Sequence, residues 1–519
     1  MRRSAAIAVA LAAASTPACR TPEPRLVVVV VDTLRPDRLG VYGHTRPTSP
    51  ALDAWARTAT VFESARSPAP WTLPAGRALL GAGPVESWQP HDTLATRLQA
   101  AGWHTGAVVA NPHLGPDGIG HAGWDAFTLE AGAPAESQAH RATAMLEAAP
   151  GDRPAFLLLH FMDPHLPYEE DSAHRSLWAG PAPSERLAAG TEPVALQQPR
   201  PPLDAAELAW LSARYDQNVR AVDDALASVL AALRPTDTLV FTADHGEALG
   251  ESGGVGHGHG LTEDQVRVPL LIGGPGWPAT RRSEDVELAD VGATVLAIAG
   301  APAPDGATGR DLRGSTPAHA TRLSHTRTGP ARVGWVSGSR KWVGTAEGVS
   351  HFDLGSDPEE RTAGTAPWSV AEAVDWSGTS APPLMPVWVV GLAPPTEIAT
   401  QQAQPGVQSV TLTHPGGVAG VDAPPRLPNP SVLTRKAVAD GWTVTTAGAL
   451  PRELWFRPVD PGAEPADATL AIELRGELVD GRRVPGVTLS NGMAPVWPKP
   501  PASRSDPQVL EALGYVEPR

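Results

Sequence analysis

The chain has 519 residues, 42% of them hydrophobic, with 56 prolines and 51 glycines, which is the composition of a folded protein with a sizeable core and many surface turns. A formal charge of -15 excludes the broad basic face that nucleic-acid binding requires, so an anionic substrate has to be met by a local site. Cys19 is the only cysteine, which excludes an internal disulfide.

Residues 1–19, MRRSAAIAVALAAASTPAC, pair a basic start with an apolar middle and a small-residue end. That is the pattern of an export signal, so the chain is expected in the periplasm or cell envelope. The end Thr16-Pro17-Ala18-Cys19 places a small residue before the cysteine but lacks a Leu or Val three residues back. Two routes stay open: lipidation of Cys19, which would attach the chain to a membrane, and plain cleavage. No other apolar run reaches spanning length.

Residues 26–31, LVVVVV, read as a strand buried on both faces of a parallel sheet, and they end in Asp32. A helix over 93–101, closed by Gly102, precedes a strand in GAVVAN. Further buried runs follow at 155–160 (AFLLLH), 238–243 (TLVFTA) and 268–272, each taken as a strand of the same kind. Residues 171–204 have no period and read as a surface excursion. Between 206 and 233, Leu208, Leu211, Tyr215, Val219, Val222, Leu226, Val229 and Leu233 recur at steps of three and four, the stripe of a core-facing helix. This alternation to about residue 300 predicts an α/β fold with a doubly wound, mostly parallel sheet and helices on both faces. Beyond 366 short alternating stretches such as SVTLTH and WTVTTA predict a smaller β-rich part, residues 366–519, of unknown role.

Asp32 opens DTLRPDRLGVYG, and Asp244 with His245 opens DHGEALGESGGVGHGHG. Carboxylates and an imidazole delivered by strand ends into one crevice suit a divalent cation. Taken singly, an Asp after a strand is more often a turn residue or a helix cap. In APWTLPAGR, residues 69–77, Thr72 stands just ahead of a proline-started helix, where it serves either as an N-cap or as a nucleophile.

The combination resembles the sulfatase-like branch of the alkaline phosphatase superfamily over residues 26–365. The first strand and its turn, VVVVVDTLRPDRLGVYGHTRPTSPALDAWA, come before FESARSPAPWTLPAGRALLGA, which is similar to the family's nucleophile helix. LLLHFMDPHLPY, then LVFTADHGEALGE with its later GHG and RVPLLI, and the closing HFDLGSDPEE follow in family order. The resemblance implies an alkaline-phosphatase-like catalytic domain and an ester hydrolase. It puts one divalent cation (Mn, Zn, Ca or Mg) on Asp32, Thr72, Asp244 and His245, with Thr72 as nucleophile. His165 and His257 would face the leaving group and the substrate oxygens, His259 is an extra imidazole, and Arg77 is a candidate for holding substrate. Arg35, Asp37 and His160 are also candidates for a place near the crevice, and for these a structural role is expected.

Two departures qualify the resemblance. The family's C-x-P-x-R nucleophile motif reads Thr72-Leu73-Pro74-Ala75-Gly76 here, so no residue convertible to formylglycine is present and the arginine position is glycine. Thr33 follows Asp32 where many relatives carry a second Asp, which suits a single cation. The substrate is accordingly a small-molecule, glycan or lipid ester of phosphate or sulfate. Two alternatives stay open: a catalytically inactive binding protein of the envelope, and a transferase of phosphorylated head groups using the same residues.

Overall fold

The computed structural model describes residues 23–365, except 120–121, 169–173, 175, 189–201, 252–253, 315–320, 325, 328–331 and 346–347, together with backbone segments between 369 and 495. The export-type segment with Cys19, much of the 171–204 excursion and the C-terminal tail lie outside the described residues.

Eight strands form the central sheet: β1 (Arg25–Val31), β2 (Thr60–Arg66), β3 (His104–Val109), β4 (Ala126–Leu129), β5 (Ala155–Phe161), β6 (Thr238–Ala243), β7 (Arg267–Gly273) and β8 (Thr280–Glu287). Their order is β8-β2-β7-β6-β1-β5-β3-β4. Every neighbouring pair is parallel except the two made by β7. The sequence reading took 268–272 as one more strand of the parallel kind, and the structure corrects its direction. Between β6 and β7 there is no crossover helix returning the chain to the far end of the sheet. The connection carries only a two-strand ladder and a four-residue helix (Glu263–Val266), so β7 re-enters where β6 left and runs back.

The position of β1 decides where chemistry can occur. All seven of its residues are buried, and it lies between β5 and β6 with Val30 opposite His160 and Val31 opposite Ala243. Because side chains alternate along a strand, Asp32 follows Val30 onto one face. His160 projects from the same face of β5, and Asp244 follows at the matching level of β6.

Six helices cover the sheet: α1 (Pro50–Ala56), α2 (Thr72–Gly81), α3 (Leu94–Ala100), α4 (Ala135–Ala148), α5 (Ala205–Ala231) and α6 (Leu288–Ala299). Helices α1 and α4 pack on α5, whereas α3 and α6 pack on α2. The α5 stripe buries Leu211, Tyr215, Val219, Val222, Leu226 and Val229, as its periodicity requires. Its start is fixed by a reciprocal box in which Asp204 accepts from the Glu207 amide and Glu207 accepts from the Asp204 amide. Helix α2 touches α6 at the backbone: a Cβ on Gly292 would lie 2.0 Å from the Leu79 carbonyl oxygen. Only glycine permits that approach, which seats the helix carrying Thr72.

A second, antiparallel sheet of five strands (Thr321–Leu323, Val333–Ser337, Arg340–Thr345, Gly348–Asp353 and Gly364–Thr365) has its own small core, in which Leu323, Val336 and Val343 meet Leu261 and Val266. Buried charges join it to the central sheet. The Lys341 ammonium lies 2.9 Å from Glu263 and 3.0 Å from Glu360, while Arg66 pairs with both Glu263 and Asp285 at 3.0 Å. Beyond residue 366 the described segments are strands, arranged in two further five-stranded sheets.

Candidate active site

Asp32, the first residue past β1, is completely buried. The chain turns sharply after it: Thr33 adopts a φ of 57°, a left-handed conformation that costs a β-branched residue about 1–3 kcal/mol. Tyr215 of α5 holds this turn, donating to the Thr33 carbonyl at 2.7 Å and accepting from the Arg35 amide at 2.9 Å. Arg35 in turn reaches Asp37, Glu251 and the Glu247 carbonyl. The structural role expected of Arg35 and Asp37 is the one observed.

Asp244 and His245 follow β6. Asp244 Oδ1 accepts from the amides of Thr33 (3.2 Å) and His245 (2.9 Å), which ties the two strand-end turns together. The Nδ1 of His245 lies 2.9 Å from the Gly246 carbonyl. A carbonyl only accepts, so Nδ1 carries the proton of the neutral ring and Nε2 presents a lone pair. That Nε2 lies 3.5 Å from Asp32 Oδ1, 3.3 Å from Asp244 Oδ2 and 3.3 Å from Thr72 Oγ1.

Thr72 is the first residue of α2 and is buried. Trp71 is the N-cap, and no side chain caps this helix, so the capping role left open in the sequence is not the one adopted. The Thr72 hydroxyl turns instead to His245 and to Asn111, whose Nδ2 donates to Thr72 Oγ1 at 3.1 Å and to Asp32 Oδ2 at 2.7 Å.

These groups form a cluster short of donors. Ligand atoms of Asp32, His160 and Asp244 all lie within 4.8 Å of one another, and all three residues are buried. Asp32 Oδ1, Asp244 Oδ2 and both ring nitrogens of His160 have no hydrogen-bond partner. Two buried carboxylates and an imidazole lone pair converging this way repel one another unless a cation joins them. The electrostatics express the same strain: burial, and then the Asp32 charge, push Asp244 up to about 7. Burial also acts to raise Asp32, but His165, His160 and His245 outweigh it and hold that carboxyl well below the usual range. The donor set therefore fits a divalent cation, carboxylate oxygens with imidazole suiting Mn²⁺ or Zn²⁺ and the oxygens alone Mg²⁺ or Ca²⁺. His160 lies within reach of this set, near the crevice. Its placement depends on the β1–β5 register, which only the fold supplies.

His165 and His257 meet beside the cluster, their ring centroids 4.8 Å apart, with His257 4.5 Å from His245. His257 Nδ1 contacts buried Glu247 at 3.0 Å. Burial, and then His165, lower His257 to about 3, so its ring is neutral. Burial acts to lower His165 as well, but Asp32 and Glu247 outweigh it and the His165 pKa is raised. His259 turns toward Gln265. Arg77 is anchored on the Gly118 carbonyl at 3.2 Å and lies over the Trp88 ring. The arginine position of the motif cannot be filled simply, since a Cβ on Gly76 would come within 2.6 Å of Leu114 Cδ2.

Asn111, Glu247 and Tyr215 were not singled out in the sequence as site residues. Asn111 carries the same signal as the aspartates, a polar residue shortly past a buried strand, here GAVVAN.

An open α/β sheet with a cation-fitting cluster at the carboxyl ends of its central strands defines a class of metal-dependent α/β proteins. Within it, the sulfatase family profile matches residues 24–301, more than half of the chain, and the chain belongs to the sulfatase family. Arylsulfatase K of Canis lupus familiaris is 34% identical over 112 residues, covering 20% of this chain and 21% of that protein. The extracellular sulfatase SULF-1 homolog of Drosophila melanogaster is 29% identical over 175 residues, 31% of this chain and 16% of that protein. The chain thus spans well under half the length of these curated relatives. The phosphonate monoester hydrolase of Agrobacterium radiobacter shares the fold, with a TM-score of 0.54 at 17% identity over 66% of this chain and 91% of that structure. Its fold is that of the alkaline phosphatase superfamily.

Proposed function

We propose that this chain is an exported, cation-dependent hydrolase of phosphate or sulfate esters in which Thr72 is the nucleophile. The observation that carries the reading is the Thr72 hydroxyl itself, buried at a helix start it does not cap and turned to a carboxylate–imidazole cluster that lacks a counter-charge. Asp32, Asp244, His245 and His160 would hold the cation, with Thr72 beside it. A divalent ion bound there supplies positive charge for the ester oxygens and favours the alkoxide form of a neighbouring hydroxyl.

The chain's own residues account for the remainder. Asn111 fixes the Thr72 oxygen and Asp32 in one orientation through its two amide hydrogens. The unprotonated Nε2 of His245 lies 3.3 Å from the Thr72 oxygen, so both would face the same cation, and the proton that Thr72 loses passes to solvent water. As Thr72 Oγ bonds to phosphorus or sulfur, the bond to the leaving oxygen breaks, and His165 hands that oxygen a proton. Water then hydrolyses the Thr72 ester, releasing the inorganic anion and restoring the hydroxyl. The amides at the start of α2 point to the same place and favour an anion there.

A threonine cannot be converted to formylglycine, which favours phosphate over sulfate as the transferred group. Export rests on the signal-like residues 1–19 and on the extracellular description of the fly relative. Among the described residues no helix is long and apolar enough to cross a membrane.

The test is turnover of 4-nitrophenyl phosphate, bis(4-nitrophenyl) phosphate and 4-nitrophenyl sulfate by the full chain with Mn²⁺, Zn²⁺, Mg²⁺ or Ca²⁺, compared between wild type and Thr72→Ala. Loss of turnover in the variant at unchanged cation affinity is expected. Equal turnover in both refutes Thr72 as nucleophile, and transfer to an added acceptor alcohol would turn the reading to a transferase.

A further inference from the structure

With glycine at position 76, the helix that carries Thr72 lacks the motif's arginine, and Arg77 is anchored on the Gly118 carbonyl. A positive charge does reach this edge of the crevice from elsewhere in the chain. Arg327 lies in the connection between the second sheet's strands Thr321–Leu323 and Val333–Ser337. Its amide donates to the Gly258 carbonyl at 2.6 Å, one residue past His257, and its guanidinium lies over the ring of Trp71 at 5.7 Å, one residue before Thr72. Gly258 has a φ of +83°, and a Cβ there would come within 3.1 Å of Arg327 Cβ, so the glycine admits the approach. On the other side of Trp71 the His113 ring makes an edge contact at 5.7 Å. Arg327 is exposed, and no carboxylate among the described residues pairs with it.

The geometry points to Arg327 as the residue that binds the outer oxygens of the ester anion, replacing from the second sheet the arginine missing from the nucleophile motif. This deepens the reading of Thr72 and its cation cluster and rests on it. An exposed guanidinium held over an aromatic face keeps its fork of donors available, and that fork matches two oxygens of a tetrahedral phosphate or sulfate. Stacking on Trp71 limits its rotamers, so little freedom is lost when the anion arrives.

The experiment measures calorimetric binding of inorganic phosphate and, separately, inorganic sulfate to the full chain loaded with Mn²⁺, for wild type, Arg327→Ala and Arg327→Lys. Loss of a charge-assisted contact predicts weakening by about tenfold to a hundredfold in Arg327→Ala, a smaller loss in Arg327→Lys, and partial recovery when guanidinium ion is added to the Ala variant. The anion that loses more identifies the group the site is built to hold. Cation affinity and melting temperature stay unchanged, because Arg327 is exposed and outside the cluster. Equal anion affinity in wild type and Arg327→Ala overturns the proposal, as does absence of anion binding by the loaded wild type. The outcome is separable from that of the nucleophile: if Thr72→Ala keeps turnover, the reading of Thr72 falls while the Arg327 affinities still decide this one.

Discussion

Asn111 is the sharpest place to perturb the site, because one amide group serves three partners. Its Nδ2 donates to Asp32 Oδ2 at 2.7 Å and to Thr72 Oγ1 at 3.1 Å, and its Oδ1 accepts from the His113 amide at 2.9 Å. Asn111→Ala removes all three. The bond to the buried carboxylate is charge-assisted and contributes about 1.5–3 kcal/mol; each of the others contributes about 0.5–1.5 kcal/mol. The His113 contact caps a surface turn and belongs to stability. The two Nδ2 contacts orient a candidate cation ligand and the proposed nucleophile, so their loss is expected to lower kcat for aryl phosphate about tenfold to a hundredfold at saturating Mn²⁺. Asn111→Asp separates shape from chemistry. It keeps the volume but replaces a donor by a third carboxylate against Asp32, so kcat is expected to fall at least as far as in the Ala variant while cation affinity does not fall. The assay is steady-state turnover of 4-nitrophenyl phosphate and sulfate, with calorimetric Mn²⁺ titration and a melting curve for each variant. Turnover and cation affinity within about twofold of wild type in Asn111→Ala would refute the assignment.

Three further outcomes follow from the same geometry. Tyr215→Phe removes the hydroxyl that holds the Thr33 carbonyl and Arg35 amide, and it is expected to weaken Mn²⁺ binding by about tenfold to a hundredfold in calorimetry, with the helix content seen by circular dichroism retained. Gly76→Arg restores the motif on paper but forces a side chain against Leu114; melting should show a loss of about 1–3 kcal/mol or more and no gain in turnover. Lys341→Met leaves Glu263 and Glu360 buried without their shared ammonium and should cost about 3–5 kcal/mol in denaturant unfolding. Burial acts to raise Glu263, but Arg66 and Lys341 outweigh it and hold its carboxyl well below the usual range. Its contribution is therefore fully present above the unfolded value, about 4.5 in an exposed Glu, and is lost as pH falls through the folded one. Acid unfolding of Lys341→Met is accordingly expected to begin at higher pH than in wild type.

The parts of the fold that alternate with a clear period were readable before any coordinates. The β1 run with Asp32 at its end, the α5 stripe and the strand ending in Asp244 all stand where their patterns put them. What the patterns left open depended on pairing. A buried run such as 268–272 looks the same whether its neighbours run with it or against it, because burial on both faces removes the alternation. His160 read as scaffold for a related reason: inside AFLLLH a histidine on a buried strand is usually a satisfied core residue. Only the register that sets it opposite Val30 brings it to Asp32. Thr72 was ambiguous because a hydroxyl at a helix start suits capping and nucleophilic roles equally. One residue of helix boundary, with Trp71 as the cap, separates them.

Charge balance connects the sequence departures to one another. Asp32 and Asp244 bring two negative charges to the cluster, and His160 and His245 complete it without adding another. One divalent ion neutralises that set, and the threonine at position 33 keeps it so, where an aspartate would leave a charge over. A cluster of zero net charge draws an anionic ester only weakly from a distance, so further binding charge has to come from around the rim. His165 stands at that rim, its ring against His257. Helix α2 lacks the motif's arginine, with glycine at position 76 and Arg77 anchored on Gly118. In a chain of net charge -15, long-range attraction also works against an anion. Among the described residues Arg327 adds a cation at this rim, held against Gly258 and Trp71 from the second sheet. Loss of the motif arginine and the presence of Arg327 over Trp71 are thus two sides of one electrostatic requirement, met from different parts of the chain.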